Sequence, residues 1–244
     1  MNLLLLTPEQ CLAPNAVSSE RQWRIHGQRF LHIRDVLKLS LRDSLRAGEL
    51  NGAVGQATIV ALSTDHLLVT FRAEHPPTTA LPLQLILALP RPKMLKRTLL
   101  DASSLGVKKI VLINSWKVDK SYWQTPNLKT DLLREKLVLG LEQAQDTMLP
   151  EIILAPRFKP FVEDELDLLA GPSQRIIAHP GTSAAMPSGL SEPVTLAIGP
   201  EGGWTEYELE LLQQRGFACH HFGKRILRVE TALPALIGRL MQLP

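Results

Sequence analysis

Cysteine is almost missing from this chain. Its 244 residues include two, Cys11 and Cys219, far apart in sequence. So few thiols exclude a disulfide framework and a cysteine-rich zinc site, and they fit a reducing compartment, the cytoplasm by default. Several catalytic signatures are missing as well. There is no Gly-x-Ser-x-Gly elbow, which argues against an α/β-hydrolase, and no His-Glu-x-x-His or Cys-x-x-Cys. His220 and His221 are adjacent, and neighbours on a strand point to opposite faces, so they cannot jointly chelate a metal. One packed and one exposed histidine are expected there, and no metal. His26, His32 and His66 are read as non-catalytic. The apolar start Met1-Asn-Leu-Leu-Leu-Leu6 has no basic flank and stops at Thr7-Pro8. That is too short for a secretory signal or a membrane span.

Net charge is only +3 and mean hydropathy is near zero, while 45% of residues are hydrophobic. These values describe a globular chain with a buried core, long enough for one large domain or two modest ones. The charge is unevenly spread. Residues 21–46 carry seven Lys/Arg (Arg21, Arg24, Arg29, Arg34, Lys38, Arg42, Arg46) against Asp35 and Asp43. Residues 91–137 carry eleven against four acids, and 138–210 reverse the balance with three against twelve. Two basic blocks in a nearly neutral chain suit either solvated helix faces or a polyanion surface.

What is present is concentrated near the end. Leu196-Ala-Ile-Gly-Pro-Glu-Gly-Gly-Trp204 reads as an apolar strand, a glycine loop and a helix start. Gly199, Gly202 and Gly203 let the chain turn sharply and let a ligand approach the backbone. Thr205-Glu-Tyr-Glu208 matches a capping box. The loop lacks the Gly-Lys-Ser/Thr of a P-loop and the Gly-x-Gly-x-x-Gly of a dinucleotide site. Glu201 would repel a phosphate, so a neutral or cationic ligand fits better. A second run, Ile226-Leu-Arg-Val-Glu-Thr-Ala232, follows. Read as extended, it places Arg228 and Glu230 on one side, with Thr231 able to cap a final helix. His179-Pro-Gly181 follows a strand at its carboxyl end, where ligand loops collect.

Residues up to about 74 read as a small, mostly β unit with one helix over 30–39, and His75–Ala80 as a stiff linker. Beyond it, apolar runs at 83–89, 109–113, 152–155, 175–178, 194–198 and 219–222 alternate with helical stretches at 93–105, 129–145, 163–169, 205–215 and 231–242. This alternation predicts a parallel α/β sheet. Gly181–Glu192 reads as a loop. Trp116, Tyr122 and Trp123 lie among Lys117, Lys120 and Lys129, a pattern that suits base stacking or plain helix packing equally.

On its two C-terminal runs the chain resembles the RsmE family of 16S rRNA (uracil-N3) methyltransferases, within the SPOUT superfamily. The specific matches are Leu196–Glu208 and Phe222-Gly-Lys-Arg-Ile-Leu-Arg-Val-Glu-Thr-Ala232. Supporting matches are His32 with Val36–Leu39, Ala88–Lys93, Leu105–Val107 and Leu149–Ile152. The resemblance implies an N-terminal PUA-like RNA-binding β-barrel over 1–74 and a SPOUT methyltransferase domain over 75–244. It also implies a C-terminal trefoil knot, an exception to the rule against threaded chains. The knot would bind S-adenosylmethionine through His179, Ile198, Gly199, Pro200, Glu201, Gly202, Gly203, Ile226, Leu227, Thr231 and Ala232. Arg228 and Glu230 would act in catalysis. RNA would be met by Arg21, Arg24, Arg29, Arg34, Lys38, Arg91 and Lys93. A homodimer acting on 16S rRNA or the small ribosomal subunit is implied.

The chain departs from the family pattern away from the cofactor runs. Ser104 stands where Glu precedes Leu-Gly, and Asp146 where an Arg would make an RNA or dimer contact. Lys38 stands where Arg is common, and Ser40–Asp43 replace a Gly-Asp turn. A divergent paralogue with another RNA target, or a non-catalytic RNA-binding ribosome-assembly factor, are the alternative readings.

Overall fold

The computed structural model describes residues 2–12 and 21–242. Contacts divide the chain into two units. The first holds residues 1–79 together with 141–149, and the second 80–140 together with 150–244.

In the first unit five strands form one sheet: β1 (Leu4–Leu6), β2 (Gln22–His26), β3 (Ser44–Glu49), β4 (Val54–Leu62) and β5 (His66–His75). Their order is β1-β3-β4-β5-β2, antiparallel except for β1 beside β3. Alternating residues of β2, β4 and β5 face inward, so Trp23, Ile25, Ala57, Ile59, Leu67, Val69 and Phe71 share one core. Helix α1 (Gly27–Leu31) runs into a wide, π-type turn over His32–Val36. Phe30 and Ile33 close that core. The apolar spacing at 30, 33, 36 and 37 predicts a longer buried face. Val36 and Leu37 are instead exposed, because the chain leaves the helix and takes a left-handed turn at Lys38 (φ 54°).

The second unit is a parallel α/β sheet. Its strands are β6 (Leu83–Ala88), β7 (Lys109–Ile113), β8 (Glu151–Ala155), β9 (Gln174–Ala178), β10 (Val194–Ile198) and β11 (Ala218–His220), in the order β11-β9-β10-β6-β7-β8. Helices α2 (Pro92–Ser104), α3 (Thr130–Ala144), α4 (Phe158–Pro160), α5 (Leu166–Ala170), α6 (Glu206–Gln214) and α7 (Val229–Leu240) cover it. A π-type turn over Phe161–Glu165 joins α4 and α5. Strand β10 is buried along its whole length between β6 and β9, as a near-continuous apolar run in a parallel sheet should be. The chain lays β6, β7 and β8 outward in one direction, then returns to build β9, β10 and β11 on the other side. Loops leaving β6 and β10 therefore diverge, and such a switch point opens a crevice at the carboxyl edge.

Two local readings are corrected. Residues 227–231 are not an extended segment: α7 begins at Val229, with Arg228 as its extended N-cap residue (ψ 154°). Arg228, not Thr231, is the cap, and its carbonyl accepts from the Thr231 and Ala232 amides at 3.0 and 2.7 Å. His220 and His221 are both half-buried. His220 Nδ1–H donates to Ala185 O at 3.0 Å, and His221 Nδ1 accepts from the Gly223 amide at 3.0 Å.

Candidate functional site

A cavity of about 260 Å³ lies at the carboxyl ends of β9 and β10. Its first wall is Ala178, His179 and Pro180 after β9, and its second is Ile198–Trp204 after β10. The third is the segment after β11, with His220, Phe222, Gly223, Arg225, Ile226 and Leu227. Val229, Ala232 and Leu236 of α7 complete it. Their spacing of three and seven residues puts them on one helix face.

The glycine loop is shaped by specific bonds. The Gly203 amide closes a turn onto Pro200 O at 2.8 Å, with Gly203 in the left-handed region (φ 72°). A Cβ on Gly199 would lie 3.0 Å from Trp204 Nε1, so only glycine leaves the indole in place. The expected capping box forms: Thr205 Oγ1 accepts from the Glu208 amide at 3.3 Å, and Glu208 Oε2 from the Thr205 amide at 2.8 Å. Glu208 Oε1 also accepts from the Trp116 amide at 2.8 Å. Lys117 Nζ donates to Gly202 O at 2.8 Å. The loop after β7 therefore braces the glycine loop.

Two polar atoms on the cavity's residues are buried without a hydrogen-bond partner among the described residues, His179 Nδ1 and Trp204 Nε1. Buried polar groups are almost always paired, so these two suit a ligand that supplies acceptors or donors. Glu201 carries the wall's acidic group. Arg91 approaches it with Nε 3.8 Å from Glu201 Oε1, a loose, exposed pair of little energetic weight.

Of the residues expected to bind a cofactor, ten line this cavity: His179, Ile198, Gly199, Pro200, Glu201, Gly202, Gly203, Ile226, Leu227 and Ala232. Thr231 does not, and neither do Arg228 and Glu230. With α7 starting at Val229, the face that presents Val229 and Ala232 turns Glu230 and Thr231 away. Ala178, Pro180, Trp204, His220, Phe222, Gly223, Arg225, Val229 and Leu236 also line the cavity and were not among the residues assigned to the cofactor. Their helical spacing from Ala232 is the signal that would have found Val229 and Leu236. Among the described residues no group of three His, Cys, Asp or Glu could hold a metal, and no helix is long and apolar enough to cross a membrane.

Residues 77–241 match the family described as RNA methyltransferase domain. Ribosomal RNA small subunit methyltransferase E of Treponema pallidum is 33% identical over 237 residues, 95% of this chain and 87% of that one. The chain belongs to the RsmE family of RNA methyltransferases. A second RsmE relative, from Synechocystis, is 26% identical, covering 97% of this chain and 76% of its own. The crystal structure of ribosomal RNA small subunit methyltransferase E from Neisseria gonorrhoeae, bound to S-adenosyl methionine, shares the fold. Its TM-score is 0.75 at 21% identity, covering 97% of this chain and 95% of that one.

In this RsmE-family chain the basic residues expected to meet RNA have different surroundings. Arg24 and Lys38 are exposed in the first unit, and Lys93 is exposed on α2. Arg21 pairs with Glu49 at 3.0 Å and stands 5.4 Å over the Trp23 ring. Arg34 is held by Asp35 at 2.6 Å. Arg29 is a structural residue: its Nε lies 2.9 Å from Glu142 Oε1, and Glu142 is buried. Asp146 is also buried, accepting from the Met148 amide at 2.9 Å. It shapes a turn where a surface RNA or dimer contact was expected.

Proposed function

We propose that this protein transfers a methyl group from S-adenosylmethionine to N3 of a uridine in 16S rRNA of the small ribosomal subunit. The observation that carries the reading is the cavity at β9, β10 and α7. It is built from the two runs that carry the family resemblance and is lined by ten of the eleven residues assigned to the cofactor. The residues present fit the group. Gly199, Gly202 and Gly203 give backbone access. The orphaned His179 Nδ1 and Trp204 Nε1 await polar partners, and Glu201 tolerates a sulfonium. S-adenosylmethionine would supply the electrophilic methyl.

The chain's own residues would prepare the acceptor. Uracil N3 carries a proton and is a poor nucleophile until it is lost. Arg228, exposed at the positive end of α7, is assigned to stabilise negative charge developing on the uracil oxygens. Glu230 is assigned to orient Arg228 or to accept the N3 proton. The cavity walls hold the reacting atoms in line, the larger share of such catalysis. The target base must leave its stack to reach them.

The same reading includes a PUA-like RNA-binding barrel, for which the five-stranded first unit speaks. It includes a trefoil knot of the SPOUT type. The loop after β9 pairs at Ala185 with His221 and at Leu190 with Met241, against segments on both sides of α7, which supports that reading. It includes a cytoplasmic homodimer. Ile226, on the cavity wall yet 85% exposed, is a side chain that a second copy would cover.

The test is transfer of a labelled methyl group to small subunits purified from cells lacking this protein, with the product nucleotide mapped. Label at uracil N3 of 16S rRNA is expected. Cofactor binding with no transfer to any RNA would favour the non-catalytic assembly factor instead.

A further inference from the structure

The aromatic and basic cluster at 116–129 is split by the fold. Trp123 is half-buried, and its Nε1–H donates to Asn114 Oδ1 at 3.0 Å, which is a packing role. Trp116 is left 85% exposed. It lines a second cavity of the C-terminal unit, about 570 Å³, together with Ser115, Lys120, Phe158 and Tyr207. Tyr207 is itself 54% exposed. Ser115 is only 2% exposed, and its hydroxyl has no hydrogen-bond partner among the described residues. A soluble surface gains nothing from a bare indole, and a buried unpaired hydroxyl costs free energy. Together they mark a ligand surface with one polar anchor.

This cavity is tied to the cofactor cavity through its walls. The Trp116 amide is fixed to Glu208 and the next residue, Lys117, to Gly202 O, so the Trp116 platform and the glycine loop are one braced assembly. Phe158 of the second cavity packs on Trp204 of the first, ring centroids 5.9 Å apart. The Glu208 carboxylate is saturated by the Thr205 and Trp116 donors, and Lys159 is 3.6 Å from Glu163. Lys120 is an exposed cation of the lining.

We propose that this second cavity receives an unpaired nucleobase flanking the methylated nucleotide. Trp116 is the stacking platform, Tyr207 a second aromatic contact, the Ser115 hydroxyl a hydrogen bond to the base edge, and Lys120 a contact to a phosphate. Base stacking on an aromatic face tolerates any base, so the subsite positions the strand and does not read its sequence. The proposal rests on the RNA methyltransferase reading above.

Its test uses the full chain and its Trp116→Ala and Trp116→Phe variants, with a fluorescein-labelled single-stranded oligouridylate followed by anisotropy. Trp116→Ala is expected to weaken binding roughly tenfold or more, and Trp116→Phe to keep most of it. S-adenosylmethionine binding, measured by calorimetry, stays unchanged in both. In methyl transfer the alanine variant raises the KM for small subunits more than it lowers kcat. Unchanged oligonucleotide affinity in Trp116→Ala, with wild-type transfer intact, overturns the subsite and leaves the enzyme reading standing. A wild-type protein that binds S-adenosylmethionine but neither binds nor methylates RNA overturns both. A Trp116→Ala variant that sediments as a monomer where the wild type is a dimer overturns the subsite as well, assigning Trp116 to contact with a second copy.

Discussion

Gly199 lines the cavity and Arg228 does not, so the two should fail differently when changed. The Arg228 side chain is not part of the cavity wall, so its loss leaves the cofactor's surroundings alone. Arg228→Ala is expected to slow methyl transfer by about a hundredfold, the usual cost of removing one charge-stabilising group, with S-adenosylmethionine affinity unchanged. Single-turnover transfer beside calorimetry separates the two quantities, and equal turnover would remove Arg228 from the mechanism. Gly199→Ala acts on the other quantity. Its new Cβ would stand 3.0–3.1 Å from three atoms of the Trp204 indole, and that ring is packed on Phe158. The indole must give way within a filled core. Cofactor affinity is expected to drop roughly tenfold, from an overpacking cost of 1–3 kcal/mol, while turnover at saturating cofactor falls less.

The start of α6 bears more than a helix. Glu208 is buried, and its carboxylate collects the Thr205 amide, the Thr205 hydroxyl and the Trp116 amide. Thr205→Ala removes an ordinary cap and should cost about 1 kcal/mol. Glu208→Ala also frees the loop after β7 and should cost about 2 kcal/mol. Hydrogen exchange distinguishes them: the Trp116 amide should exchange much faster in Glu208→Ala and near the wild-type rate in Thr205→Ala. The capping box itself was legible, because it is local and its residue types are few. The six parallel strands were legible for a related reason, since strands such as β10, buried on both faces, are nearly continuous apolar runs. What the sequence hid was non-local. The bond from Trp116 to Glu208 spans 92 positions and leaves no local pattern. Arg228-Val-Glu-Thr231 was misread because four residues fit a period of two and a period of 3.6 equally. The helix won through Val229, Leu233, Leu236, Ile237 and Leu240, which are all buried.

The division of the molecule is not a single cut in the chain. Residues 141–149, the end of α3 and the turn after it, belong to the first unit, although the apolar pattern placed them in the second. The Leu3 amide donates to Glu142 O at 3.1 Å, Thr147 Oγ1–H to Gly52 O at 2.5 Å, and the Leu149 amide to Asn51 Oδ1 at 2.8 Å. The strongest tie is ionic: Arg29 lies 2.9 Å from Glu142, whose side chain is 7% exposed. Burial pushes the Glu142 carboxyl above the ordinary carboxylate range, against the opposing pull of Arg29 and the Leu5 amide. Leaving a buried charge alone costs more than the pair gains. Arg29→Met should therefore destabilise the full chain by about 2–3 kcal/mol, and Glu142→Gln by clearly less, in urea unfolding near neutral pH. The pH dependence follows from the direction of the shift. The folded protein holds the Glu142 proton more tightly than the unfolded chain does. The group's contribution therefore falls as pH rises from the ordinary carboxylate range through the raised folded value, and recovers on acidification. In Arg29→Met, where nothing offsets burial, that window should widen upward, and the variant's deficit against wild type should shrink as pH is lowered toward 5. A deficit that stays constant from pH 5 to pH 8 would mean that it does not arise from an uncompensated Glu142 charge.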